Sequence, residues 1–384
     1  MATLHLAEVV RQHGPSYLDR HGDAVLPSHR RALSAIAQCR TPNLGAYLGV
    51  CAHCAKPHVL YHSCRHRACP RCGFEQTEAW LARQRALVLP VPYFHVIFTL
   101  PSELRSLVRS HQRLLLAVLF RAAYDALSEM CADEDRLGGA IGALAVLHTW
   151  TRALVYHPHV HMLVPAGALS ADQSWRPARK RGRKLYLVPE RALAEVFAGK
   201  FLAMAKRRLP TGVTLPTIKN GTHWIVAIRR VEPGPEAVLR YLGRYVHRTA
   251  LGDRAVIACD DDSVTFRYRD SRTGQTKTMR LPPHEFLRRL LQHVLPQGFH
   301  RVRSFGLLHP SRRLALQRLQ LLLGAPPTTK SEHASYSPRL RCPHCRTGTL
   351  LLVRHLSAEE CFARLEPTNA VRGPPATLQL GANA

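Results

Sequence analysis

With 384 residues the chain has room for two or three domains and a sizeable apolar core, which excludes a peptide or an extended tail. Its formal charge of +28 exceeds what solubility requires and points to a polyanionic partner, and because only eight of the 54 basic residues are Lys, the excess is Arg, whose planar fork suits two-pronged phosphate contacts. No window holds eighteen uninterrupted apolar residues, and Met1–Gly14 carries Glu8 and Arg11 without the apolar run of an export signal, so nucleic acid rather than a membrane is the expected partner and the cytoplasm the expected location.

In chain order, residues 1–38 have helical spacing (Leu6, Val9, Val10, then Leu33, Ile36), with a break expected at Gly14–Pro15. Cysteines follow. With no export signal, eleven cysteines argue for metal rather than a disulfide framework. Cys51-Ala-His-Cys54 and Cys69-Pro-Arg-Cys72 are two Cys-x-x-Cys knuckles, and the spacing predicts one structural tetrahedral zinc held by Cys51, Cys54, Cys69 and Cys72. Cys39 and Cys64, with His58, His62 or His66 nearby, could complete a second site. A helix over Phe74–Leu89 leads to Pro90-Val91-Pro92, an expected domain boundary, and Tyr93–Leu100 is a β-branched and aromatic strand. Residues 102–132 form a long amphipathic helix, and Gly142–Thr151 a buried strand.

The stretch Leu154-Val-Tyr-His157-Pro-His159-Val-His161-Met-Leu-Val164 carries the sharpest signal. On a strand, alternate side chains share a face, so His159 and His161 point together while Val160 and Met162 enter the other layer. Two imidazoles on rigid backbone are a metal claw. Candidates for a third ligand are His148 on the preceding strand, His157, which lies about 13 Å of extended chain from His161, and a residue of the helix described next. Imidazole ligands suit zinc or manganese, whereas phosphate chemistry favours magnesium or manganese.

Between these elements, Trp175–Lys184 places Arg179, Lys180, Arg181, Arg183 and Lys184 in one loop, read as tracking phosphates. A helix spans 190–207. Then Pro235–Arg248 forms an amphipathic helix with Tyr241 and Tyr245 at i and i+4, both phenols on one face, beside Arg240, Arg244, His247 and Arg248, which could face phosphates. Ala255–Arg269 reads as a strand pair, Pro282–Val294 as a helix, His300–Phe305 as a short basic strand and 314–323 as a Leu-rich helix. Cys342-Pro-His-Cys345 is half a zinc ribbon, followed only by His355 and Cys361 as further ligands. Residues 367–384, rich in Pro, Ala and Gly, read as disordered.

The His-Val-His strand, the two-tyrosine helix, Tyr61-His-Ser-Cys-Arg65, Tyr93-Phe-His-Val-Ile-Phe-Thr-Leu-Pro101, Leu147-His-Thr-Trp150 and Val264-Thr-Phe-Arg-Tyr268 together resemble the HUH endonucleases, and in detail the two-tyrosine rolling-circle transposases of the insertion-sequence-ninety-one group, over roughly residues 1–315. Arg65-His-Arg-Ala68-Cys-Pro departs from that group, which usually has histidine where Ala68 stands. The resemblance implies an α+β fold, an HUH-like antiparallel sheet with helices after a small zinc-binding domain, divided as 1–88, 89–310 and a basic C-terminal region 311–384. It implies Mg2+ or Mn2+ at the histidines, Tyr241 and Tyr245 as nucleophiles, a 5′-phosphotyrosyl intermediate with a free 3′-hydroxyl, and single-stranded transposon ends and target DNA as partners. Other readings are a replication initiator or relaxase with the same chemistry, a hydrolytic metallonuclease, and an inactive zinc-stabilised DNA-binding protein.

Overall fold

The computed structural model describes residues 4–218, 224–231, 235–246, 248–270, 273–324 and 340–364; the tail expected over 367–384 lies outside them. In chain order the elements begin with helices α1 (Leu6–His21) and α2 (Pro27–Gln38), strands β1 (Ala46–Cys51) and β2 (Pro57–Tyr61), and helix α3 (Gly73–Arg85). The central region contains β3 (Tyr93–Thr99), α4 (Arg105–Ser110), α5 (Gln112–Ala132), β4 (Gly142–Trp150) and β5 (Tyr156–Pro165). Two small hairpins follow, β6 (Gly167–Leu169) with β7 (Trp175–Pro177) and β8 (Lys180–Arg181) with β9 (Lys184–Leu185). Then come α6 (Glu190–Arg208), β10 (Ile225–Val231), α7 (Pro235–Val246), β11 (Val256–Cys259), β12 (Val264–Arg269), β13 (Thr276–Leu281) and α8 (Pro283–Leu291). The last are β14 (Val302–Gly306), α9 (Arg313–Leu322), β15 (Leu350–Leu356) and α10 (Ala358–Ala363).

The site rests on a five-stranded antiparallel sheet in the order β10-β3-β5-β4-β14. Alternation along the strands gives it two different faces. Phe94, Val96 and Phe98 of β3 and Val160, Met162 and Val164 of β5 point into one core with Leu115, Leu119 and Phe120 of α5 and Phe197 and Phe201 of α6. At one end of the opposite face, Tyr93, Leu144 and Leu163 pack against Val238 and Leu239 of α7 and Leu316 and Leu319 of α9. The histidines share this second face, next to the apolar patch that anchors α7.

The expected break at Gly14–Pro15 is absent: α1 runs through Pro15 and ends at His21, before the turn Gly22–Ala24. A proline inside a helix forfeits one backbone hydrogen bond, at a cost of roughly 3 kcal/mol. Burial of Val9, Val10, Tyr17 and Leu18 along one stripe outweighs it, because all four join a core with α2, β12 and α8. The long helix expected over 102–132 is likewise divided, with His111 at φ −118°, ψ 45° between α4 and α5. Among the described residues, packing crosses the expected bounds at residues 88 and 310. Helices α1 and α2 share their core with β11–β13 and α8, and β15 joins β1 and β2 in a three-stranded antiparallel sheet, order β15-β1-β2.

Candidate active site

Strand register determines which histidines meet. His159 of β5 stands opposite His148 of β4, and His161 lies two residues further along the same face of β5. The ligand nitrogens of His148, His159 and His161 all lie within 4.8 Å of one another, a spacing that fits one divalent ion. Nδ1 of His159 donates to the carbonyl of His157 at 2.7 Å, which fixes the ring and leaves Nε2 to ligate. Burial pushes the imidazolium form of His159 down, and drives His161 to about 2, helped by His159, His95, Arg248 and Arg301, so both rings are neutral and able to ligate. His157 does not join the trio. Its Nδ1 accepts from the Arg105 guanidinium at 2.9 Å, and the two-residue steps of the strand carry it past His159, away from His161.

Tyr241 of α7 reaches this trio through a residue to which the sequence assigned no role. Its hydroxyl lies 2.5 Å from Nδ1 of His95, and Nε2 of His95 lies 2.8 Å from Nδ1 of His161. His95 pairs with Leu163 across β3 and β5, which makes it the diagonal neighbour of His161, and the two rings stack with centroids 5.0 Å apart. Burial, Arg229 and His159 lower the His95 pKa to about 4, so the ring carries a single N–H at neutral pH. The signal was present in Tyr93-Phe-His-Val-Ile-Phe, where period-two alternation sends Phe94, Val96 and Phe98 to the core and His95 to the histidine face. Tyr245 lies one turn beyond Tyr241 on α7; its side chain, like those of Arg244 and Arg181, falls outside the described residues.

The basic residues divide between the two faces of the sheet. Arg240 and Arg248 are exposed, and Arg248 is near enough to His161 to disfavour its protonation, as Arg229 is for His95. Arg229 pairs with His95 across the strands and shares its face. The hairpin β8–β9 is placed differently. Lys184 lines a cavity with Phe94, Ile228 and Arg230, residues of the face turned toward α5 and α6. Lys180 and Arg183 are exposed there, while Arg179 donates to the carbonyls of Asp135 at 2.9 Å and Glu134 at 3.2 Å, anchoring the hairpin to the turn after α5.

Eight of the eleven cysteines form two clusters, and neither is the expected set of Cys51, Cys54, Cys69 and Cys72. Cys39, Cys64, Cys69 and Cys72 converge within 4.8 Å, with Cys72 Sγ 3.4 Å from Cys39 and 3.5 Å from Cys64. Arg40 and Arg65, each directly after one of these cysteines, adopt φ of 57° and 52°, conformations that turn the chain sharply back around the sulfurs. Cys51 and Cys54 instead meet Cys342 and Cys345, because β15 pairs with β1 and sets Leu350 opposite Cys51. His66 joins neither cluster: its Nδ1 accepts from the Ala68 N–H at 3.2 Å. Cys361 is buried against Ala46 and Leu356, and His355 stacks on His62 with centroids 5.1 Å apart, so neither completes the Cys342–Cys345 pair.

Comparison with known proteins supplies the family. Residues 9–100 match the family model described as "Transposase zinc-binding domain", and residues 142–315 the one described as "Putative transposase". The chain is 33% identical over 402 residues to "Putative transposase y4qJ" of Sinorhizobium fredii, covering 96% of this chain and 97% of that protein. The chain belongs to the IS91 family of transposases. A second relative, "Transposase for insertion sequence element IS801" of Pseudomonas savastanoi pv. phaseolicola, is 30% identical over 288 residues, 70% of this chain and 68% of that protein. No solved structure matches the chain. The transposase thus carries a zinc-binding domain, which the Cys39 cluster equips with four thiols for a tetrahedral ion, beside an HUH-like histidine trio. Among the described residues no helix is long and apolar enough to cross a membrane.

Proposed function

We propose that this transposase nicks and rejoins single-stranded DNA at the ends of its element, with Tyr241 as a nucleophile at a site whose metal is held by His148, His159 and His161. The observation that carries this reading is the continuous contact from the Tyr241 hydroxyl through His95 to His161. A bound Mg2+ or Mn2+ would polarise the scissile phosphate. The phenolic oxygen of Tyr241 attacks phosphorus as the bond to the 3′ oxygen breaks. The phenol passes its proton to water, the departing 3′ oxygen takes one from water, and a 5′-phosphotyrosyl ester remains. That ester conserves the energy of the broken bond, so a later 3′-hydroxyl can attack it and reseal a strand.

His95 contributes a directed proton. With His161 ligating through Nε2, its Nδ1–H donates to Nε2 of His95, and the one proton of neutral His95 then sits on Nδ1, aimed at the Tyr241 oxygen. A donor held there favours the phenolate as it forms. Arg229, Arg240 and Arg248 supply positive charge along the histidine face for the DNA backbone, with Lys180, Arg183 and Lys184 available to DNA leaving that face. Tyr245, one helical turn from Tyr241, serves as the second acceptor, as two successive strand transfers in rolling-circle transposition require. The bacterial sources of both relatives agree with action on DNA in the cytoplasm.

The test is cleavage of a labelled single-stranded oligonucleotide carrying the element's end, with Mn2+, followed by denaturing electrophoresis. A protein–DNA adduct that disappears in Tyr241→Phe/Tyr245→Phe and in His159→Ala is expected. Cleavage that persists without either tyrosine would identify a hydrolytic nuclease instead, and binding without cleavage a DNA-binding protein.

A further inference from the structure

We propose that Cys51, Cys54, Cys342 and Cys345 hold a second structural zinc ion, which clasps the segment 340–356 to the N-terminal zinc-binding domain. Two of these ligands lie beyond both family matches, which end at residues 100 and 315. The inference stands apart from the tyrosine chemistry proposed above.

The sulfur geometry is that of a tetrahedron. Cys51 Sγ lies 3.7 Å from Cys345 Sγ, Cys54 Sγ lies 3.7 Å from Cys342 Sγ, and all four sulfurs fall within 4.8 Å of one another. Zinc–sulfur bonds of about 2.3 Å in a regular tetrahedron require sulfur–sulfur edges of about 3.8 Å. All four cysteines are free thiols.

The backbone around the two pairs is matched, although Cys54 and Cys342 are 288 residues apart. In each Cys-x-x-Cys turn the residue after the second cysteine donates its N–H to the carbonyl of the first: Ala55 to Cys51 at 3.0 Å and Arg346 to Cys342 at 2.9 Å. Those two residues both adopt the left-handed conformation, at φ of 56° and 61°, uncommon for side chains other than Gly, Asn and Asp. The N–H groups of His53 and Cys54 point at Cys51 Sγ, both at 3.4 Å, and that of Gly348 at Cys345 Sγ at 3.3 Å. Donors aimed at sulfur favour thiolates, the form that ligates. Gly348 closes so tightly on the cluster that a Cβ there would sit 2.5 Å from Cys51 Sγ.

Beyond the backbone pairing of β15 with β1 and the burial of Leu356 against Ala46, the segment adds little apolar packing. Around the thiols the apolar contacts are Leu350, Leu60 and Leu340, while Leu351, Leu352 and Val353 of β15 are exposed. So small a core does not fold by burial alone, and a metal supplies the missing stability. His58, with Nε2 3.3 Å from Cys342 Sγ, is placed to hydrogen-bond a ligand sulfur rather than to replace it.

The experiment uses the full chain. Zinc per chain is measured by elemental analysis, the thiolate-to-cobalt charge-transfer absorption is recorded after Co2+ exchange, and hydrogen exchange is followed over 341–356. The histidine trio does not contribute to the thiolate absorption. In Cys342→Ser/Cys345→Ser we expect a loss of about one zinc per chain, the thiolate absorption falling to about half, and faster exchange over 341–356. Unchanged zinc and cobalt absorption in that variant would overturn the proposal. Cys345→His keeps four ligands and decides the matter should the double variant not fold. It is expected to retain the ion with a cobalt spectrum shifted toward three sulfurs and one nitrogen, and a spectrum identical to that of the parent protein would overturn the proposal.

Discussion

The hydroxyl of Tyr241 and Nδ1 of His95 lie 2.5 Å apart, so the proposed nucleophile is oriented by a ring that itself leans on His161. His95 is therefore a positioning residue whose loss should slow the chemical step and spare DNA affinity. We expect His95→Ala to lower the single-turnover nicking rate on the order of 10²-fold, the scale for removing one preorganised donor. His95→Asn, whose amide can imitate Nδ1, should recover part of that rate. Equal losses in binding and cleavage would mean that His95 only supports the fold.

The proposed metal site takes His148, His159 and His161 as ligands and leaves His157 as a bystander. His148→Ala, His159→Ala and His161→Ala should each weaken Mn2+ binding, read by electron paramagnetic resonance, by at least the 10- to 100-fold that loss of an outer partner costs. His157→Ala should leave it nearly unchanged, since the His157 ring is engaged with Arg105. Tight binding by His148→Ala together with weak binding by His157→Ala would reverse the assignment of the third ligand.

What the sequence made legible was whatever repeats locally. The period-two pattern of His159 and His161 placed both rings on one face, and the helical spacing over 235–246 placed Tyr241 on a helix, since each depends only on neighbours along the chain. Pairings between distant segments were not legible. Cys51 and Cys54 pointed to Cys69 and Cys72 as the nearest knuckle, whereas the partner was decided by β15 returning from residue 350 to pair with β1. His95 was hidden for the same reason, because its role arises from the register between β3 and β5 and from the docking of α7. Basic charge was visible as composition, but strand alternation decided which face it served, separating Arg229 from Arg230.

Arg67 ties the zinc-binding domain to the loop between α8 and β14. Its guanidinium donates to the carbonyls of Phe299 at 2.7 Å, Leu295 at 2.6 Å and Pro296 at 2.7 Å. Removing it strands three acceptors at once, and hydrogen bonds from a charged donor contribute roughly 1.5–3 kcal/mol each, though not additively. Arg67→Ala is expected to lose about 3 kcal/mol in urea unfolding, and Arg67→Lys to recover little, because an ammonium lacks the planar fork that spans three carbonyls. A loss under half a kcal/mol, the scale of an ordinary surface change, would show that the contact is not structural.

Acid should destabilise the protein through two rings outside the metal site. His29 is buried beside α1, and its pKa is lowered to about 4 by burial and then by Arg109. His293, near Thr149 and Trp150, is likewise lowered to about 4, chiefly by burial. In both rings Nε2 is buried with no hydrogen-bond partner among the described residues, so an imidazolium there would strand a charged N–H. The unfolded chain takes up protons near pH 6.5 while the folded chain resists until about 4, so stability is complete above 6.5 and is lost as pH falls through that window. By pH 5 the loss amounts to roughly 2 kcal/mol per ring. Urea unfolding between pH 7.5 and 5 should therefore show a shallower decline for His29→Gln/His293→Gln than for the parent chain, whatever the offset in absolute stability. Parallel pH profiles for the two proteins would mean that these rings are protonated in the folded state and that the acid sensitivity arises elsewhere.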